Sequence, residues 1–315
     1  MGLTDAQLTF RRSGIGGSEI AAVVGVNPYM KPIDVWLAKK GLAEVTHNEK
    51  MEWGLRLEPA ALAKYGEQKG VEVLHPREYF PESVDGTVRH PTHKFAIATP
   101  DGIVKTPRRV QVKCAFDFGA LAWGESGDAE GVPEHVIVQS TWEGLVTGIH
   151  DADIVALING YDFRVYPVAW DADLAGMLLE QAERFWKENV EGNVQPSGAS
   201  DTLTKYLRDR YSKTTGKVLP PPVGLYELAK QYDAARAACE AAEERKESLG
   251  NEIRKLIGEN DGFEGPGIKA TWKWQNGQPA YKAIAEELAG AAGIPTAIRA
   301  KHTGRKRVLN VKVEG

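Results

Sequence analysis

The sequence predicts an α/β protein with an appended helical and small α+β region, and two patterns support this. Between residues 11 and 195, amphipathic helical stretches interleave with short β-branched runs. From Leu225 to Leu256, apolar residues recur at alternating three- and four-residue intervals, the spacing of a coiled-coil-like helix. A chain of 315 residues has room for one large domain and an appendage.

In chain order, GIGGSEIAAVVG offers Ser18 as an N-cap ahead of an apolar stripe. Pro28 interrupts it, and PIDVWLAKKG starts a second helix with Pro32 in its first turn and Gly41 at its stop. EKMEWGLRLEPAALAKYGEQKG is a strong helix with Leu55, Ala61, Leu62 and Tyr65 near one face. Pro59 predicts a kink, or a fresh start just after Glu58, because it removes a backbone donor in mid-helix. VEVLHP, KFAIATPDGIV and RRVQVKCAF read as strands, PEHVIVQSTWEGLVTG as a helix, and DADIVALING and FRVYPVAW as strands. DADLAGMLLEQAERFWKENVEG is an amphipathic helix opened by Asp171 or Asp173 and closed by Gly192.

Pro196, Ser197 and Gly198 mark a boundary, giving a first domain of residues 1–198 and an accessory region of 199–315. A second soft joint lies at GKVLPPPVG. The long helix spans 225–257, and its seam runs Leu225, Leu228, Tyr232, Ala235, Cys239, Ala242, Lys246, Leu249, Ile253, Leu256, with Lys246 as the charged break. One such seam needs a partner, in cis or from another subunit. GIKATWKWQNG, AYKAIAEELAG and RVLNVKV then form a small strand–helix–strand unit.

Composition excludes little but is consistent. No apolar run reaches the ~18 residues of a membrane span. The start, MGLTDAQLTFRRSG, has no apolar signal core, and Ala6 stands where a myristoylation motif needs Ser or Thr. Two cysteines, Cys114 and Cys239, form no disulfide framework, point to a reducing cytoplasm, and are too few for a four-cysteine iron–sulfur cluster within one chain. The net charge of −4 does not decide against phosphate binding, which depends on local basic patches.

The chemistry is concentrated in ATPDGIV, a short basic turn, and VQVKCAF. An acid ends one strand and an x-V-K triplet follows on the next. Strand alternation puts Gln111 and Lys113 on one face, and Asp101 can meet them across the hairpin. Val112 points away, but its carbonyl can still face a cation. Glu58 would add a second carboxylate. Phosphodiester hydrolysis uses such a set: Mg²⁺ takes one or two carboxylates plus waters, and a lysine offsets developing charge. The hairpin spacing by itself also fits a solvated Asp-Gly turn.

The ordered series RRSGIGGSEIAAVVGVNPYMKPIDVWLAKKG, EWGLRLEPAALAKYGE, ATPDGIV, VQVKCAF and PEHVIVQSTWEGLVTG resembles the YqaJ-like viral recombinase family. That family groups with lambda exonuclease in the PD-(D/E)XK nuclease superfamily, and the resemblance covers roughly residues 10–195. It implies a restriction-endonuclease-like core with a central mixed sheet flanked by helices. It also implies Mg²⁺ or Mn²⁺ dependence and digestion of linear duplex DNA ends, 5'–3', for phage-type recombination. The implied partners are duplex ends and a single-strand annealing protein, with a ring-shaped homo-oligomer as the implied assembly. The implied setting is the cytoplasm of a bacterial host, with a phage or prophage source.

Matched residue by residue, Glu58 is the helical acid of the G-x-x-x-E-x-x-A pattern, Asp101 the main metal-binding aspartate, and Lys113 the motif lysine. The metal set so implied is Glu58, Asp101, Gln111 and the Val112 carbonyl. Gln139 matches a glutamine on the helix after the hairpin. Arg12 and Ser18 match elements suited to gripping a DNA end phosphate. Two positions depart from the pattern: Gln111 replaces the usual Asp or Glu, and Glu143 stands where relatives often carry tyrosine. The first departure leaves open a DNA-end-binding module with weak or no cleavage. The scaffold also admits an endonuclease.

Other motifs are weaker. His90 and His93 in RHPTHK lack the further ligands of a zinc site. Cys114 reads as a buried strand cysteine rather than an activated thiol. Trp272 and Trp274 alternate with Lys269 and Lys273, which fits either base stacking or packing. Lys301, Arg305, Lys306 and Arg307 form a basic tail, a candidate for phosphate contacts or a solvated loop.

Overall fold

The computed structural model describes residues 5–43, 48–213, 216–266, 268–279 and 303–313. The chain divides into two compact units, Met1–Thr215 and Gly216–Gly315.

The first unit opens with helices α1 (Asp5–Arg12), α2 (Gly17–Val23), α3 (Pro32–Lys39) and α4 (Glu49–Lys69). Strand β1 (Val73–Leu74), the short helix α5 (Pro76–Tyr79) and strands β2 (Val88–Arg89) and β3 (Ile97–Ala98) follow. Then come β4 (Gly102–Val104), β5 (Arg108–Ala115), α6 (Glu134–Thr147), β6 (Ala152–Ile158) and β7 (Asp162–Val168). Helices α7 (Ala172–Phe185) and α8 (Asp201–Arg210) close the unit, with a π-helical turn, Trp186–Glu191, after α7. The main sheet has the order β1-β4-β5-β6-β7 and is mixed: β5 and β6 run parallel, and the other neighbours are antiparallel. The parallel step requires a crossover, and α6 supplies it.

Both faces of the sheet are covered. Ala61 and Tyr65 of α4 pack with Val104, Val110, Val112, Val155 and Val165 on one face. On the other, Val136 of α6 packs with Ala115, Ile154, Ala156 and Tyr166. A further core joins α2, α3, α6 and α7 around Trp142, whose indole N–H is shared between the Ile15 and Ile97 carbonyls at 3.1 Å each. Leu203 and Tyr206 of α8 pack against this core, past the expected boundary at residue 198.

Three local readings are corrected. First, α4 runs unbroken through Pro59. So no fresh helix starts after Glu58; the missing donor removes one backbone bond, and Ala61, Leu62 and Tyr65 pack the later half against the sheet. Second, Leu55 does not share the buried face: it is 51% exposed, because only the later half of α4 lies on the sheet. Third, Ser18 is not the N-cap of α2. Gly16 holds that position, and the Glu19 carboxylate accepts its N–H at 2.7 Å, so the cap is satisfied from the third helical residue. KFAIATPDGIV also divides, with β3 in a two-stranded sheet with β2 and β4 in the main sheet.

Glu19 ties the N-terminal helices together. The buried Lys39 ammonium donates to both its carboxylate oxygens at 2.7 and 2.6 Å, and to the Arg11 carbonyl at 2.7 Å. Burial pushes the Lys39 pKa below its ordinary value, and the Glu19 charge opposes that shift. Across the sheet, the Tyr65 hydroxyl donates to Asp153 at 2.6 Å, and Arg108 pairs with the other oxygen at 2.7 Å. Tyr65→Phe leaves that buried carboxylate one donor short. Urea denaturation should show a loss of about 1–3 kcal/mol, and an unchanged midpoint would show that the bond contributes nothing.

The second unit comprises α9 (Leu225–Ile257), β8 (Gly262–Gly265), β9 (Ile268–Pro279) and β10 (Thr303–Val313), with the three strands forming one antiparallel sheet in the order β10-β9-β8. The expected helix AYKAIAEELAG lies outside the described residues. Among the described residues, no helix is long and apolar enough to cross a membrane.

Candidate active site

The site forms where β5 outruns its partner. β4 pairs only with Arg108–Val110, so beyond Val110 that edge of β5 has no strand beside it. Asp101, just before β4, fills the gap: its Oδ2 accepts the Val112 N–H at 2.7 Å. In an extended strand a residue's N–H and C=O project to the same edge, so the Val112 carbonyl also faces this gap. Gln111 and Lys113 alternate with Val112 and lie on the α6 side of the sheet.

Glu58 enters from α4. Burial raises its pKa most, the Asp101 charge adds to this, and Lys113 opposes both, bringing the carboxyl to about 7. Asp101 is raised as well, by burial first, against Lys113 and the Val112 N–H. These mutual effects place Glu58, Asp101 and Lys113 in one electrostatic neighbourhood. Gln111 is 1% exposed, and neither side-chain polar atom has a partner, which is costly for a buried amide.

Helix α6 completes the cluster. Gln139 donates to Glu143 at 2.8 Å, and Glu143 lies 3.6 Å from the guanidinium of the buried Arg109. Arg109 is fixed by its Nε–H donated to the Ile149 carbonyl at 2.7 Å. Glu143 also lies within electrostatic reach of Asp101 and Lys113. Two glycines permit this packing. A Cβ on Gly17 would sit 2.8 Å from the Glu143 carboxylate, and one on Gly144 would sit 2.9 Å from Arg109. Neither Arg109 nor Glu143 was assigned a role from sequence. The available signals were the Arg109/Gln111/Lys113 alternation and the four-residue step from Gln139.

Burial raises the Glu143 pKa from 4.5 to about 7, with Arg109 opposing and Asp101 reinforcing. A carboxyl raised in the folded state contributes stability below its unfolded pKa and loses it as pH climbs to the folded value. Without divalent metal, the parent should therefore lose stability relative to Glu143→Gln between about pH 4.5 and 7. Melting curves over that range check this, and parallel pH profiles would contradict it.

The remaining expected residues lie elsewhere or are partly described. Arg12 ends α1, and Ser18 is exposed in the first turn of α2, beside the Gly17 that packs on Gln139 and Glu143. Arg305, Lys306 and Arg307 occupy β10 opposite Asn276, Gln275 and Trp274, so this segment is strand rather than loop. Lys301 lies outside the described residues. Cys114 is half-buried, and burial raises its pKa, the opposite of thiol activation. His90 and His93 lie with ring centres 4.9 Å apart and planes tilted by 53°.

The donors fit a hard divalent cation. Among the described residues no three His, Cys, Asp or Glu side chains gather at metal-binding reach. The set here is two electrostatically coupled carboxylates, the edge-facing Val112 carbonyl and, next to it in β5, a buried amide without partners, and Mg²⁺ needs no more than one or two carboxylates from protein. The unmatched Gln111 oxygen is the kind of atom that a cation or its waters would satisfy.

Comparison with known proteins finds similarity in sequence and in fold. Residues 7–150 match the YqaJ-like viral recombinase domain, an interval that holds Glu58, Asp101, Gln111, Lys113 and Gln139. The chain is 26% identical over 277 residues to the uncharacterized protein YqaJ of Bacillus subtilis, covering 85% of this chain and 83% of that one. The crystal structure of LHK-Exo in complex with dAMP superposes with a TM-score of 0.50 at 19% identity, covering 66% of this chain and 98% of that one. A second structure of that alkaline exonuclease, from Laribacter hongkongensis, gives 0.47 at 20% identity with the same coverage. The fold likeness covers the first unit's mixed sheet flanked by helices.

Proposed function

With a YqaJ-like viral recombinase domain at residues 7–150 as premise, we propose that this protein is a metal-dependent DNA exonuclease acting on linear duplex ends. The observation that supports the reading is the electrostatic coupling of Glu58, Asp101 and Lys113 where Asp101 caps the open edge of β5, together with a buried Gln111 whose amide has no partner. The catalytic domain in this reading is residues 1–198 together with α8, which packs on the same core, and the region beyond it is an accessory one that contacts DNA or a partner.

Glu58, Asp101, Gln111 and the Val112 carbonyl would hold Mg²⁺ or Mn²⁺. When bound, such an ion lowers the pKa of water and neutralises phosphate charge. The Lys113 ammonium orients the attacking water and offsets charge on the scissile phosphate. Gln139 and Glu143 fix the α6 side of the site, and Arg109 stays buried as the Glu143 counter-charge. Arg12 and Ser18 are assigned to the end phosphate, and Arg305, Lys306, Arg307 and Lys301 to the DNA backbone. The same reading extends to 5'–3' digestion in a phage-infected bacterial cytoplasm, with a single-strand annealing protein as partner and a ring as the assembly.

End-labelled linear duplex should shorten with Mg²⁺ or Mn²⁺ and stay intact with EDTA, while closed circular duplex is untouched. Cleavage of the circle would instead identify an endonuclease. Gln111 favours one alternative, a module that holds DNA ends without cutting. Retention of the duplex with no shortening in either metal would select it.

A further inference from the structure

Helix α9 is 33 residues long, about 50 Å at the α-helical rise. Most of its apolar seam is exposed, with Leu228 at 63%, Tyr232 at 70% and Leu256 at 73%, and Ile253 is half-buried. We propose that this seam is an antiparallel coiled-coil interface with a second copy of the same chain.

The seam matches its own reverse. Its alternating three- and four-residue steps label Leu225 as an a position and Leu256 as the last d. Two copies laid antiparallel about a twofold axis between residues 240 and 241 pair each a with a d. Leu225 meets Leu256, Leu228 meets Ile253, and Tyr232 meets Leu249, so both ends of the interface join large apolar side chains. At the centre Cys239 meets Ala242. The charged break is accommodated too: Lys246 faces Ala235, whose small side chain leaves the lysine stem room to reach water.

The flanking charges choose the same arrangement. Arg236 and Glu243 occupy e positions that approach each other across an antiparallel pair, twice by symmetry. Among the described residues their ion pairs are exposed ones, Arg236 with Asp233 at 3.4 Å and Glu243 with Lys246, and such pairs contribute little. A parallel pair would instead stack Lys246 on its own copy in one core layer and bring no opposite charges together. An isologous twofold contact is also the commonest way for a chain to pair with itself.

The test uses the full chain and the exposed Cys239. Antiparallel pairing sets residue 242 of one copy beside Cys239 of the other. Ala242→Cys, oxidised with diamide, should give a reducible species at twice the 34.4 kDa chain mass. The parent, and Ala242→Cys combined with Cys239→Ala, should stay at single-chain mass. Adding Arg236→Glu to the Ala242→Cys chain should cut the cross-linked fraction several-fold, and further adding Glu243→Arg should restore it. A chain that never cross-links through residue 242 overturns the proposal, as it would if the seam takes a different protein. Equal cross-linking of the parent through Cys239 overturns it in favour of parallel pairing. Failure of the charge reversal to restore the link overturns the register. None of these readings depends on DNA cleavage.

Discussion

Asp101→Asn should lower the shortening of linear duplex DNA by ~10²-fold or more, the scale of losing one preorganised electrostatic group in an active site. The amide keeps an oxygen for the Val112 N–H, so the strand edge is preserved while the charge is lost. Asp101→Ala should lose as much activity and also leave the Val112 N–H bare. Lys113→Ala should match them, because it removes the cation that opposes the raised pKa values of both Asp101 and Glu58. The stability readout separates catalysis from folding. Burial is the main influence on Asp101, raising its pKa, so the ionised carboxylate is strained in the metal-free protein. Asp101→Asn should therefore melt no lower than the parent in EDTA at pH 8, while cutting far more slowly in Mg²⁺. Parental cleavage rates in these variants would remove the site assignment. A lowered melting temperature together with lost activity would mean that Asp101 is structural.

How much of this could be read from the sequence follows from the range of each interaction. Strand alternation is local, and it put Gln111 and Lys113 on one face of β5 before any tertiary contact was known. The helix α9 followed from spacing alone in the same way. Strands of two residues have no period to detect, so β2 and β3 could not be separated from the neighbouring segments. The Ser18 reading failed because two local caps compete. Serine can cap only the turn it precedes, whereas Glu19 reaches back to Gly16 and is itself pinned by Lys39, twenty residues away. Pro59 suggests a fresh start because its helix-breaking cost is local, while the compensating contacts of Ala61 and Tyr65 with the sheet are not. Arg109 and Glu143 illustrate the same limit at the site. Arg109 has no local signal of a role and Glu143 only its departure from the family's tyrosine, because the sheet and α6 bury them together through contacts distant in sequence.

Gln111→Glu is the variant with the most to reveal, because its effects on metal binding and on stability should have opposite signs. A carboxylate here gives a cation one more charged oxygen. The Mg²⁺ concentration for half-maximal cleavage should fall by ~10-fold or more, the range over which even supporting groups alter metal affinity. Without metal, the same substitution buries another acid beside Glu58, Asp101 and Glu143, whose pKa values burial already raises. The new carboxyl should be raised too. Its destabilising effect is then absent below the unfolded glutamate pKa of about 4.3 and grows as pH rises above it. The variant should melt below the parent in EDTA at pH 8, match it near pH 4, and recover at pH 8 on adding Mg²⁺. If the parent holds DNA without cutting it, this variant should begin to cut, which would show a nuclease scaffold short of one ligand. If Mg²⁺ neither restores the variant's melting temperature nor changes its cleavage, Gln111 does not face a cation and the buried amide must be explained by packing alone.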